Sequence, residues 1–159
     1  MSHLSKLGRA QWYLLGLTLA TSAALCASQG QFASLDPKAI SIRLPADIQW
    51  KGSPNGLETI PLAGDASKPG VYAILVKWSA HHNSHPHFHP NDRFITVLSG
   101  TWWVNTGRNY DPDHMKPVPA GSFVTHYANQ VHYDGAKDAD VVLEIVGMGP
   151  ETPTAAENK

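Results

Sequence analysis

One cysteine, Cys26, stands in 159 residues. With a single thiol no intrachain disulfide can close, and thiol-rich zinc fingers and paired-cysteine redox chemistry are excluded. Basic blocks are also missing: 12 Lys and Arg against 13 Asp and Glu give a net charge of −1. No basic amphipathic stretch is present, so neither nucleic acid nor an anionic membrane surface is an expected partner. No apolar run reaches the roughly 20 residues needed to cross a hydrocarbon core. No helical period is sustained beyond the first 30 residues, apart from room for one short turn at Asp111 to Met115. The length suits one ordinary domain and is too short for two well-buried cores.

The longest apolar run, Trp12 to Leu25, follows Lys6 and Arg9 and precedes a run of small residues. That order is the outline of a secretory signal peptide, expected over 1–28 with cleavage between Cys26 and Gly30. Leu25 is too bulky for the small residue that precedes a lipid-modified cysteine. Cleavage would leave a chain with no thiol, no stable membrane span and a charge near −3, suited to a periplasmic or secreted protein.

Short runs rich in Val, Ile, Thr and aromatics alternate with Gly, Pro, Asn and Asp clusters, which reads as all-β. Strands are expected at Ala39 to Leu44, Val71 to Trp78, Phe94 to Leu98, Thr101 to Asn105, Ser122 to His126 and Val141 to Val146. Turn signals such as Ser99-Gly100, Thr106-Gly107 and Pro119-Ala120-Gly121 separate them. Many short strands in this length favour a sandwich or a barrel that closes to remove its edges. The domain is expected over 36–150, with a polar, frayed tail at 151–159.

Histidine is the abundant reactive residue: nine in all, five of them between His81 and His89. On a strand alternate side chains share a face, so His87 and His89 can point at one ion. Taken alone, this H-x-H also fits a solvated His-rich loop.

The residues that follow make the pattern more specific. His87-Phe88-His89 is followed by three residues, Arg93, six residues and Gly100. Further on, Gly121-Ser122 leads through Tyr127-Ala128-Asn129 to His132. Both spacings resemble the two motifs of the cupins. That resemblance implies a small double-stranded β-helix, or jelly-roll, barrel holding one divalent metal through His87, His89 and His132. It also implies a homodimer formed through an edge strand or N-terminal arm, for which Phe32 to Trp50 is the candidate.

The departures from the pattern bear on chemistry. Arg93 stands where the family carries a glutamate ligand, and a guanidinium cannot coordinate. By parity it faces the cavity, either to clamp an anionic substrate or to pair with Asp92, Asp134 or Glu144. His126 shares the inward parity of Val124 and is open to three roles: fourth ligand, general base or satisfied core histidine. Asn129, in place of glycine, tolerates the left-handed conformation. Tyr133 and Glu144 are expected to hold the outer nitrogens of the ligands. His81, His82 and His114 read as rim or surface residues, His85 as either exposed or a support behind the ligands, and Trp78, Trp102, Trp103 and Phe123 mostly as packing.

Three imidazoles without a carboxylate suit Fe2+ and a chelating anionic small molecule, as in cupin dioxygenases. Zn2+ with hydrolase, lyase or isomerase chemistry is the alternative, and Mn2+ or Ni2+ are further candidates for the metal. A non-catalytic barrel that binds a small ligand is the third reading.

Overall fold

The computed structural model describes residue 32 and residues 34–159. The expected signal peptide therefore lies outside the described residues. The chain divides into two compact units, 1–48 and 49–159.

The described part of the first unit holds turns and no strand. The Asp36 carbonyl accepts from the N–H groups of Ala39 and Ile40, and a 3₁₀ turn covers Pro45–Asp47. The strand expected at Ala39 to Leu44 does not form: Ile40 and Ile42 are exposed. Its alternating apolar pattern finds no ladder to join, and alternation alone does not make a strand.

The second unit is built of β1 (Lys51–Gly52), β2 (Leu57–Ala63), β3 (Gly70–Trp78), β4 (His82–Asn83), β5 (His87–Phe88) and β6 (Arg93–Ser99). Then follow β7 (Thr101–Thr106), β8 (Lys116–Pro119), β9 (Phe123–His126), β10 (His132–Ala136), β11 (Val141–Gly149) and β12 (Thr154–Ala155). The only other regular element is a 3₁₀ turn at Pro112–His114, inside the segment where one short turn is expected. The strands form two antiparallel sheets, one ordered β1-β2-β3-β11-β6-β9 and the other β12-β5-β10-β7-β8, with β4 also on β10.

Sequence alternation explains the interior. Tyr72, Val76, Ile95, Val97, Val141, Leu143 and Ile145 from the first sheet meet Trp102 and Ala136 from the second in one buried cluster. Fully burying each such side chain contributes about 1.5–3 kcal/mol. The β6–β7 hairpin turns at Gly100, whose φ of +77° is left-handed. A Cβ there would run into the Asp140 carbonyl, which gives the motif glycine its physical reason.

Two features lie at the ends of the expected domain. The barrel unit begins at Gln49, and the tail does not fray. Thr154 and Ala155 pair with Phe88 and His87, and Ala156 is buried with its N–H donating to the Pro86 carbonyl at 2.8 Å. An open edge of β5 offers unpaired backbone groups, and the tail satisfies them.

Gly135 on β10 packs where a Cβ would overlap the His82 carbonyl and Asn83. Gly135→Ala is expected to cost about 1–3 kcal/mol through overpacking. A urea midpoint equal to that of the wild type would contradict this close packing.

Candidate metal centre

The site forms where the two sheets face each other. His87 on β5 lies directly across from His132 on β10, and His89 follows immediately after β5. From the opposite sheet, Arg93 on β6 lies across from His126 on β9. Ligand atoms of His87, His89 and His132 all lie within 4.8 Å of one another. The ring centroids are 4.6 Å apart for His87 and His132, and 4.8 Å apart for His87 and His89.

The tautomers follow from the partners. His87 Nδ1 lies 2.7 Å from the His85 carbonyl, and His132 Nδ1 lies 3.0 Å from the Gln130 carbonyl. A carbonyl only accepts, so each Nδ1 carries the proton and each Nε2 keeps a bare lone pair. His89 Nδ1 contacts the Glu151 carboxylate, while its Nε2 lies 2.5 Å from an Arg93 guanidinium nitrogen, which can only donate. His87 and His132 are thus held through Nδ1 by a backbone oxygen, and His89 has a carboxylate oxygen against its Nδ1 without hydrogen-bond geometry. Oxygens at the outer nitrogens are the arrangement that orients metal-bound imidazoles.

The buried Nε2 of His132 has no hydrogen-bond partner. An orphaned acceptor of this kind is costly in a folded interior unless something fills its place. His87 and His132 fit a divalent cation as they stand, and His89 fits it once Arg93 releases Nε2. That three-imidazole set suits Fe2+ or Zn2+.

Burial is the main cause that keeps His89, His126 and His132 neutral. It lowers the pKa of His132 to about 3 and, with the electrostatic influence of the adjacent His132 added, that of His126 to about 2. His89 is lowered for the same first reason. Asp134, wholly enclosed, is raised by burial. Contact with His89 holds Glu151 below the usual carboxylate range.

A pH dependence follows for the metal-free protein. Between about pH 6.5 and pH 3 the unfolded chain takes up protons at positions 126 and 132 that the folded chain refuses, so stability falls as pH falls. Each histidine contributes a slope of up to about 1.4 kcal/mol per pH unit, and Asp134 opposes with one proton of its own. The urea midpoint after chelator treatment is expected to drop between pH 7 and pH 5. A flat midpoint would contradict neutral burial of these rings.

His126 joins the cluster. Its ring centroid is 3.8 Å from that of His132, it stacks on Trp102 at 5.2 Å, and its Nδ1 is buried without a partner. Arg93 faces the cavity as parity predicts, but it meets His89 and Glu151 rather than Asp92, Asp134 or Glu144. Asp92 instead accepts from the Ala128 N–H.

Neither expected outer partner of the ligands holds. The Tyr133 hydroxyl bonds Asp111, and Glu144 lies on the face of β11 opposite buried Leu143 and Ile145. Asn129 is left-handed as expected, with φ of 60°. His85 sits at the rim against Glu157 and Tyr110, His82 bonds the Ala80 carbonyl, His81 is exposed, and exposed His114 pairs with Asp111. Trp78 and Trp102 line the cavity, whereas Phe123 is exposed and stacks on Phe94.

Sequence reading took Asp134 only as a possible partner of Arg93 and missed Glu151 altogether. Asp134 completes a second group of possible ligands with His126 and His132, and its two-residue spacing from His132 is a readable signal. Glu151 carries no local signal at all. The cavity bounded by these groups has a volume of about 350 Å³, with Ile74, Val76, Ile95, Leu143 and Ile145 forming its apolar wall.

Residues 40–150 match the ChrR cupin-like domain family. The chain belongs to that cupin family. No curated protein is a significant sequence match. Among solved structures, KdgF from Halomonas sp. is similar at 17% identity, with 68% of this chain and 94% of that one covered and a TM-score of 0.54. The polyketide cyclase RemF from Streptomyces resistomycificus is similar at 14% identity over 76% of this chain and 87% of that one, TM-score 0.61. The DMSP lyase DddQ from Ruegeria pomeroyi DSS-3 is similar at 17% identity over 72% and 64%, TM-score 0.55. At these identities the likeness to solved structures establishes the cupin barrel and not its chemistry.

Proposed function

We propose that this ChrR-like cupin is an exported mononuclear iron enzyme of dioxygenase type, acting on a small chelating anion such as a β-diketonate, a catecholate or an enolised α-hydroxyketone. The observation that carries the reading is the set of three imidazoles, each with an oxygen against its outer nitrogen, with Arg93 where the family pattern places a carboxylate ligand. Bound through His87, His89 and His132, Fe2+ would supply the Lewis acidity and redox chemistry for dioxygen.

The remaining work falls to the chain. Arg93, inside the cavity and always charged, offers its guanidinium to the substrate's anionic oxygen. His126 is neutral and, with its pKa held low by burial, a poor base. Its partnerless Nδ1, beside the His132 ring, instead offers a hydrogen-bond acceptor to a hydroxyl of a substrate that enters already as its anion. The apolar wall holds the substrate body and excludes water, which strengthens both interactions.

A second reading is zinc-dependent lyase or isomerase chemistry. It is favoured by His126 and Asp134, two buried proton-carrying groups beside His132. The structural likeness to a polyketide cyclase and a DMSP lyase lends it some weight.

An oxygen electrode separates the two. Protein reconstituted with Fe2+ without air and then offered a panel of chelating anions is expected to consume one dioxygen per substrate, with the zinc form inert. Turnover by the zinc form without oxygen uptake would overturn the dioxygenase reading in favour of the second.

A further inference from the structure

We infer that Glu151, delivered by the C-terminal segment, is a positioning residue of the metal site and the counter-charge that frees His89 from Arg93. The inference rests on the metal reading above and extends it to residues beyond both sequence motifs.

Three observations meet at this carboxylate. First, it lies against His89 Nδ1, while the Arg93 donor on Nε2 leaves Nδ1 as the nitrogen that carries the proton, so the carboxylate is placed to hold the ring with Nε2 toward the cluster. Second, it lies 3.9 Å from the Arg93 guanidinium, which also lies on His89 Nε2 at 2.5 Å. A cation bound by His89 must take that nitrogen from Arg93, and a guanidinium beside a dication is repelled unless an anion lies near. Glu151 is that anion, already in reach. Third, it is mostly buried, with 16% side-chain exposure, and its backbone is fixed.

The fixing is continuous along the segment. The Glu151 N–H donates to the Ala66 carbonyl at 2.7 Å, and Thr154 and Ala155 extend the sheet beside β5. The Arg108 guanidinium donates to the Ala156 carbonyl, and the Asn158 N–H donates to the Arg108 carbonyl, each at 3.0 Å. The strand that carries His87 is thus paired on one side by the segment that carries Glu151 and on the other by β10, which carries His132. The carboxylate that the family pattern places at position 93 is supplied instead from position 151, on the outer nitrogen of His89.

Co2+ is a suitable probe, because its visible spectrum reports the ligand field independently of turnover. Calorimetry and spectra would compare the wild-type protein with Glu151→Ala and Glu151→Gln. Loss of an outer-nitrogen partner typically weakens metal affinity about 10–100-fold, the loss expected for Glu151→Ala. The altered position of His89 is expected to change the Co2+ spectrum as well. Glu151→Gln keeps an oxygen for Nδ1–H but loses the counter-charge, so its affinity is expected to fall between the two.

Circular dichroism of the same samples is expected to be unchanged. Wild-type affinity and an unaltered spectrum in both variants would overturn this assignment alone. Failure of the wild-type protein to bind Co2+ would overturn it together with the metal reading.

Discussion

Replacing His132 with alanine is expected to remove bound metal, to below about a tenth of an equivalent, while leaving the barrel folded. His132 is the imidazole for which the structure shows the clearest demand: its Nδ1 proton is committed to the Gln130 carbonyl, and its buried Nε2 faces the cluster with no partner. It is also the residue through which the two candidate ligand groups overlap. Without it, neither group keeps three donors.

Two effects on stability are expected. In the metal-free state the variant loses a buried ring and leaves the Gln130 carbonyl unpaired, at a cost of about 1–3 kcal/mol. Added metal stabilises a folded site by about 2.7 kcal/mol at one hundred times its dissociation constant, and the variant forfeits that gain. Thermal melts with and without metal would therefore separate for the wild-type protein and coincide for His132→Ala. A variant that still retained a full equivalent would place the ion elsewhere.

Trp102→Ala is expected to produce the largest loss of stability, about 3–5 kcal/mol, the range for removing a buried large aromatic. Trp102 is 1% exposed and belongs to the central cluster, where it joins the β7 side of the barrel to Ile95, Val97 and Leu143. It also lines the cavity and stacks on His126, so the substitution enlarges the pocket and frees that imidazole. Trp102→Phe, which keeps an aromatic face, is expected to lose less. Urea unfolding monitored by far-ultraviolet circular dichroism would measure both, and a loss under about 1 kcal/mol for the alanine variant would show that the core does not depend on this ring.

The sequence carried much of this site in its spacing. His87, His89 and His132 were legible because a strand period of two and two family motifs agree on them, and Asn129 because few residues other than glycine accept a positive φ. Arg93 was placed on the correct face, since parity is local, but its partners were not, since they are set by a segment 58 residues further on. Glu151 was read as part of a frayed tail because Thr-Pro-Thr-Ala-Ala has no strand pattern. Its order comes from the open edge of β5, which is visible only once the sheet exists.

The same limit explains the strand errors. Ala39 to Leu44 alternates but has no ladder to join, whereas β2 and β8 form despite Pro61, Pro117 and Pro119. Likewise β10, with the sequence HYDGA, is buried along its whole length yet reads as polar, because it is the strand that carries the site.

The central claim is that the barrel binds one divalent metal through His87, His89 and His132. Metal analysis by inductively coupled plasma mass spectrometry on tag-free protein, after reconstitution with Fe2+ without air and removal of excess, tests it most directly. The expected result is close to one equivalent of iron per chain in the wild-type protein and almost none in a His87→Ala, His132→Ala double variant. Equal metal in both proteins, or none in the wild type under any divalent ion offered, would contradict it.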